Sequence, residues 1–358
     1  MRKVRIWPAA AMGELVAKQI KVYFKNWEVV DIIDKNEKLH GKPCLRYSIA
    51  SPDVLKEAAE DDILVVAGRK WEEICEEAVN KYNVPKQNIL VVQHYWPTAG
   101  LQIIPKVRWE MCGFMPYARD NEFYQCILDE IKVSEGELNE IGLKYGTDKA
   151  SVFMTPYGFR FAHDYLRHYD KLFSSLRKEK LQLCELGCGT GSSLKMWKEY
   201  FPKATIVGVD ICQEAKRFEE ERVEVVVGNA AHQSTIEELS AKYGEFDIII
   251  DDASHAWGDM RMSFEMLWSS LKHGGTYVIE DTQCGSQGAF DEYPPAVWDS
   301  QHIVDYIMDR ASIMKFPREW NPEFNRYHFE QYPAIIQKIE SEIDSVIMIH
   351  GTCIITKR

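Results

Sequence analysis

No apolar run in this chain is long enough to cross a bilayer, which excludes a helical membrane protein. There is no Cys-x-x-Cys pair, and the nine cysteines are an odd, scattered set. A disulfide frame or a zinc site is therefore not expected; reduced thiols in a cytoplasmic protein are. A basic block is also missing. The 43 Lys+Arg stand against 55 Asp+Glu, a formal net charge of -12. Nucleic-acid binding requires basic density that neutralises phosphates, so neither nucleic acid nor membrane is an expected partner. Solenoid-length repeats and low-complexity tracts are absent. The stretch from Met1 to Trp7 loosely imitates a signal peptide. Pro8 breaks its apolar stretch, Glu14 ends it, and no small-residue cleavage site follows, so it is expected to belong to the fold.

What remains is 358 residues, 46% hydrophobic, too long for one ordinary domain and comfortable for two. Two α/β patterns run in succession. In the first, residues 1–105, short β-rich runs (Val4–Trp7, Val29–Asp34, Ile63–Ala67, Ile89–Val92) alternate with helical stretches at Met12–Phe24 and Trp71–Tyr82. The first helix is expected to bury Leu15, Val16, Ile20 and Val22 on or near one face. Alternating strands and helices imply a parallel sheet. Asp34 follows Ile6 at roughly the spacing of the ribose-binding acid of a dinucleotide fold. A dinucleotide fingerprint would place glycines at Pro8, Ala10 and Gly13, and only Gly13 is one. Alanine adds a Cβ where backbone must approach a pyrophosphate, and proline removes a donor. A Rossmann-like scaffold for packing, oligomerisation or substrate holding is expected there, without NAD. Residues 106–150 read as a helical connector, with amphipathic helices around Glu122–Lys132 and Glu135–Leu143.

The second pattern, residues 151–358, carries the chemistry. The strand Leu181–Glu185 ends in an acid and runs into Gly187-Cys188-Gly189-Thr190-Gly191 and a helix over Ser193–Tyr200. Glycines let the backbone turn tightly and let a ligand lie against it. The next strand, Ala204–Asp210, ends in an acid placed to accept the ribose hydroxyls of an adenosine ligand. Further strands follow at Glu224–Asn229, Phe246–Asp252 and Gly275–Asp281, the last after a turn at Lys272–Gly275. A hairpin of Val346–His350 and Cys353–Thr356 closes the chain.

Ligands of open parallel sheets sit beyond the carboxyl ends of the strands. Asp251, Asp252, His255, Glu280 and Asp281 converge there. Asp252, Glu280 and Asp281 are hard oxygen donors on adjacent strand ends and suit Mg²⁺. Without a cation, their packing raises pKa values or costs stability. His255, three residues past Asp252, faces the same opening. Imidazole titrates near neutrality and can accept a hydroxyl proton.

The set Glu185, Gly187, Gly189, Gly191 and Asp210 resembles motifs I and II of class I S-adenosylmethionine-dependent methyltransferases. Asp-Asp-Ala-Ser-His from Asp251 and Val-Ile-Glu-Asp from Val278 are similar to the metal-dependent sugar O-methyltransferases of macrolide tailoring, of the mycinamicin and macrocin type. Cephalosporin-hydroxylase-like proteins share these motifs. Tyr145-Gly146-Thr147-Asp148-Lys149 and His163-Asp164-Tyr165 extend the similarity. The resemblance covers residues 140–283 and the terminal hairpin. After strand three the family tends to have Gly-Asp-Gln, where this chain has Gly228-Asn229-Ala230.

The resemblance implies a Rossmann-like class I methyltransferase sheet with a terminal antiparallel hairpin. It implies S-adenosylmethionine and Mg²⁺ as cofactors. Cofactor contacts would come from Tyr145, Thr147, Glu185, Gly187, Gly189, Asp210, Asn229 and Asp251, with residues up to 150 acting as a lid. Asp252, Glu280 and Asp281 would bind the metal, and His255 would be the base. The expected partner is a small sugar-containing acceptor, and the protein is expected to be a homo-oligomer. The aromatic segment Gly285–Tyr332, including Phe290, Trp298, Tyr306, Trp320 and Tyr327, is expected to wall the acceptor pocket. The rival readings are a metal-independent methyltransferase and a non-catalytic nucleotide or nucleotide-sugar binder.

Overall fold

The computed structural model describes every residue except 69, 94–112, 118–128, 156–157, 283–301, 313–331 and 350. Two compact units partition the chain: residues 1–139 with 148–164, and residues 140–147 with 165–358.

The first unit holds a nine-stranded sheet of order β3-β4-β2-β1-β5-β6-β7-β9-β8. Its strands are β1 (Arg2–Trp7), β2 (Trp27–Ile33), β3 (Pro43–Cys44), β4 (Tyr47–Ala50), β5 (Ile63–Val66), β6 (Ile89–Gln93), β7 (Gly113–Pro116), β8 (Val152–Thr155) and β9 (Gly158–Phe161). The expected parallel core is there: β1 pairs in parallel with β2 and β5, and β5 with β6. Every side chain of β5 is buried, the mark of a parallel strand covered on both faces. Helices α1 (Ala11–Tyr23) and α2 (Trp71–Tyr82) supply the crossovers. On α1, Met12, Val16 and Ile20 recur every fourth residue and are buried. Val22, expected on that face, is instead 57% exposed, because it falls outside the stripe that those residues define.

The sheet continues beyond the expected boundary. Antiparallel β7, β9 and β8 extend it, so residues 152–161 belong to the first unit and not to the second. Phe114, Phe159 and Phe161 pack there against Phe24, with ring centroids 5.7–6.4 Å from it. Alternation of Phe159 and Phe161 was the available sequence signal. Among the described residues of the connector, Glu137–Tyr145 forms α3. The expected helix around Glu122–Lys132 lies largely outside the described residues.

A charge sits inside this unit. Arg5 on central β1 is 7% exposed; it pairs with Asp31 on β2 at 3.0 Å and with Asp62, which precedes β5. Removing one partner of a buried ion pair strands the other.

The second unit is a seven-stranded sheet of order β12-β11-β10-β13-β14-β16-β15. Its strands are β10 (Gln182–Leu186), β11 (Thr205–Asp210), β12 (Val223–Val227), β13 (Phe246–Asp251), β14 (Leu271–Ile279), β15 (Ile343–Ile349) and β16 (Thr352–Lys357). The first five are parallel, and β16 runs antiparallel to both β14 and β15. The turn expected at Lys272–Gly275 is a bulge within β14: Phe246 pairs with Leu271, but Ile248 pairs with Thr276.

The helices are α4 (Leu166–Phe173), α5 (Ser192–Tyr200), α6 (Gln233–Tyr243), α7 (Trp257–Leu267), α8 (Ile303–Ser312) and α9 (Ala334–Glu342). Residues of α6, α7, α8 and α9 share one core with Cys184, Leu186, Val207 and Val209, which stand on one face of β10 and β11 at period two. Tyr169, Phe173, Trp197 and Phe201 form a second aromatic layer between α4 and α5. Tyr306, expected in the acceptor wall, lies instead in the core at 2% exposure, its hydroxyl 2.7 Å from Glu265. Its place on α8 turns it inward with Ile303 and Ile307. Phe290, Trp298, Trp320 and Tyr327 lie outside the described residues.

Asp62→Ala is expected to cost about 3 kcal/mol or more in a denaturant melt, since it strands the buried Arg5 guanidinium. A loss below about 1 kcal/mol would show that Asp31 alone neutralises it.

Candidate active site

The site forms because three strand ends are level. Leu186, Asp251 and Ile279 are lateral partners across β10, β13 and β14. The ladder continues one step further: Asp252 N–H donates to the Leu186 carbonyl and Glu280 N–H to the Asp251 carbonyl, each at 2.9 Å. The glycine-rich loop, the Asp252–His255 turn and the Glu280–Asp281 pair therefore leave the sheet side by side.

The loop leaves β10 at Gly187, whose φ is +87°. A Cβ there would lie 2.2 Å from the Asp252 carbonyl oxygen, so only glycine lets the loop lie on the end of β13. At Gly189, φ is +49° and a Cβ would meet nothing within 4 Å. That side of the loop is open ground. Asp210, ending β11, ties the loop down. Its Oδ2 accepts from the N–H groups of Cys188 (2.9 Å) and Gly189 (3.2 Å), and its Oδ1 from Cys212 N–H at 2.8 Å.

Glu185 sits beneath the loop, not on its surface. It is 0% exposed and accepts a 2.7 Å hydrogen bond from the Ser193 hydroxyl at the start of α5. Asn229, after β12, accepts from Ala231 N–H at 2.9 Å. Tyr145 is half-buried, and its hydroxyl donates to Glu199 on α5 at 2.6 Å. Thr147 is buried, with its N–H on the Gly142 carbonyl. Asp251 is 2% exposed, and burial pushes its carboxyl up to about 7.

Asp252, His255 and Asp281 each offer a ligand atom, and these atoms all lie within 4.8 Å of one another. His255 Nε2 is 3.7 Å from Asp281 Oδ2 and 3.9 Å from Asp252 Oδ1. His255 Nδ1 is buried and has no hydrogen-bond partner among the described residues. His255 and Asp281 both hold left-handed backbone, at φ +57° and +52°. Non-glycine residues there store roughly 1–3 kcal/mol of strain each, which clusters at functional sites. Trp257 helps to hold the turn, its indole N–H donating to the Thr282 carbonyl at 3.0 Å.

Glu280, expected beside Asp252 and Asp281, is not brought into this cluster. It is 1% exposed and accepts a 2.8 Å hydrogen bond from the Tyr169 hydroxyl. Asp281 Oδ1 likewise accepts from Tyr165 at 2.8 Å. Tyr165 closes the His163-Asp164-Tyr165 segment of the resemblance, while Tyr169 carries no motif and was signalled only by its spacing of four from Tyr165.

Two carboxylates and an imidazole fit a divalent cation as donors, with the carboxylates favouring a hard ion. An open glycine loop beside a strand-end acid fits an adenosine ligand.

A parallel sheet with β10 at its centre, helices on both faces and a reversed β16 is the class I methyltransferase fold, and residues 183–275 match the family model of a methyltransferase domain. The matched residues lie within the second unit. Residues 1–90 match a C2185-like N-terminal domain.

Among individual proteins, demethylmacrocin O-methyltransferase of Streptomyces fradiae is 38% identical over 152 residues, 40% of this chain and 36% of that protein. Mycinamicin VI 2''-O-methyltransferase of Micromonospora griseorubida is 34% identical over 152 residues, again 40% and 36%. The chain thus spans about a third of the length of these curated relatives. In fold it is similar to the MycE methyltransferase of the mycinamycin biosynthetic pathway, solved in complex with Mg and SAH. The TM-score is 0.50 at 22% identity, covering 75% of this chain and 70% of that one.

Asp251 carries a pH signature. Its folded value, about 7, lies above the ordinary 3.8. Between those values the unfolded chain releases a proton that the folded chain keeps, so this group's contribution falls as pH rises through that window. Asp251→Asn is expected to flatten the decline in melting temperature from pH 4 to pH 7; an unchanged profile would place the burial cost elsewhere.

Proposed function

We propose that this chain is an S-adenosylmethionine-dependent O-methyltransferase that methylates a hydroxyl of a sugar or glycosylated small molecule, with Mg²⁺ at the acceptor. One observation carries this reading: the glycine loop with Asp210 and the Asp252–His255–Asp281 cluster stand at neighbouring ends of one sheet. The relatives' names, which specify a methyl transfer to demethylmacrocin and one to the 2''-oxygen of mycinamicin VI, support a sugar hydroxyl as acceptor. The MycE structure, solved with Mg and SAH, supports the cofactor pair.

In this reading the backbone of Gly187 and Gly189 and the carboxylate of Asp210 hold the donor's adenosine and amino-acid parts. Asn229, Asp251, Tyr145 and Thr147 complete the pocket, and Glu185 braces the loop from below. Asp252 and Asp281 hold the cation, and Glu280, bonded to Tyr169, stands behind them at the same strand end. His255 is left as the base, because Mg²⁺ prefers oxygen over imidazole nitrogen. When bound, the donor supplies an already activated methyl on sulfur, and the cation eases loss of a proton from a nearby hydroxyl. His255 Nε2 would take the proton that the acceptor hydroxyl loses when its oxygen receives the methyl and the donor's sulfur leaves as a neutral thioether. The charge that the imidazole gains is offset by the carboxylates of Asp281 and Asp252, 3.7 and 3.9 Å away. Positioning is most of what the protein contributes.

Calorimetric titration with S-adenosylmethionine and S-adenosylhomocysteine is expected to show saturable binding. Asp210→Ala should weaken it about ten-fold or more, the worth of a charge-assisted hydrogen bond. Absence of binding by the unaltered chain to either compound would overturn the reading.

With nucleotide-linked and free sugars as acceptors, a chelator should stop turnover and Mg²⁺ restore it. His255→Ala should keep donor affinity and lose about 10²–10⁴ in rate. Turnover that survives chelation would leave a metal-independent methyltransferase. A rate unchanged by the histidine substitution would remove the base.

A further inference from the structure

We propose that Tyr165 and Tyr169 are positioning residues for a divalent-cation site, Tyr165 fixing the ligand carboxylate of Asp281 and Tyr169 fixing Glu280 behind it; this rests on the metal reading above. The two tyrosines sit four apart, at the N-cap and in the first turn of α4, and so on one helix face. Tyr165 is 2% exposed and Tyr169 0%. Their hydroxyls reach Asp281 Oδ1 and Glu280 Oε1, both at 2.8 Å.

Consecutive side chains of an extended strand point to opposite faces. Here one helix turn addresses two consecutive acids. The left-handed backbone of Asp281, φ +52°, takes it out of the strand and makes this geometry available.

The Tyr165 bond also selects an oxygen. It engages Oδ1, and Oδ2 is the atom that lies 3.7 Å from His255 Nε2. A carboxylate held by one oxygen loses its freedom to rotate, and the other oxygen is presented in a set direction. Hydrogen bonds of this kind, from a neighbour to a ligating carboxylate, tune metal affinity.

Packing explains the rings but not the hydroxyls. Tyr169 packs at a tilt against Phe173 and Trp197, with centroids 6.0 and 6.2 Å away, where phenylalanine would serve as well. A phenol buried in an aromatic layer costs desolvation unless it is bonded.

The test is titration of Mg²⁺ and Mn²⁺ into the full chain and its Tyr165→Phe and Tyr169→Phe variants by calorimetry, with donor affinity and metal-free melting temperature measured beside it. Each variant is expected to raise the divalent Kd about ten-fold or more, with the donor Kd unchanged. Near-ultraviolet difference spectra of the unaltered chain should show a tyrosine signal on Mg²⁺ addition, which needs no variant to fold. Unchanged divalent affinity in both variants, even with a lowered melting temperature, would make the hydroxyls merely structural and overturn the proposal. So would saturation with Mg²⁺ without a tyrosine signal. If the unaltered chain binds neither cation, the proposal falls together with the metal reading, while donor binding shows whether the methyltransferase reading stands.

Discussion

Crowding of negative charge at one end of a parallel sheet is the constraint around which the second unit is organised. Asp251, Asp252, Glu280 and Asp281 leave two adjacent strands in register, and like charges so close cannot all ionise freely without compensation. Each acid is handled differently. Asp251 is buried, and its carboxyl is pushed toward the neutral form. Glu280 and Asp281 accept from phenols on α4. Asp252 keeps partial exposure and faces His255. The left-handed backbone of His255 and Asp281 and an imidazole whose Nδ1 has no hydrogen-bond partner among the described residues stand at the same strand ends.

The first unit shows that the same frame does not make the same site. It too has parallel strands, crossover helices and an acid, Asp34, just past the end of β2. Its first turn is built differently, however: Ala10 N–H is bonded to the Pro8 carbonyl, and a Cβ on Gly13 would lie 2.6 Å from that oxygen. Gly13 serves close packing of helix on turn, whereas Gly189 in the second unit borders open space. Asp34 is engaged by the Asn36 N–H at 2.8 Å. What separates the two turns is what their glycines face, not the presence of a strand-end acid.

Much of the fold was legible from period and punctuation. The parallel strands of both units and α2 fall where β-branched runs and amphipathic spacing put them, because those patterns are local. The glycine loop and Asp210 were legible because tight turns and strand-end acids leave a short-range signature. The antiparallel strands β7, β8 and β9 were missed: they are four residues long and are held by pairing with one another and by contacts to Phe24, distant in sequence. Tyr165 and Tyr169 were passed over as functional groups for a similar reason, since their hydroxyls matter only through Glu280 and Asp281, more than a hundred residues away. Glu185 was expected as a cofactor contact; the fold buries it under the loop, bonded to Ser193.

The linear order of residues determined by itself which chemistry this chain could hold: an acid-glycine loop, a second acid one strand on, and two acidic pairs with a histidine between them. These are local because each depends on a turn or a strand end a few residues long. Only the tertiary structure decided which oxygens and nitrogens meet. Register across β10, β13 and β14 joined Asp252, His255 and Asp281 and left Glu280 on Tyr169, because lateral hydrogen bonding, not sequence distance, sets what stands beside what at the end of a sheet.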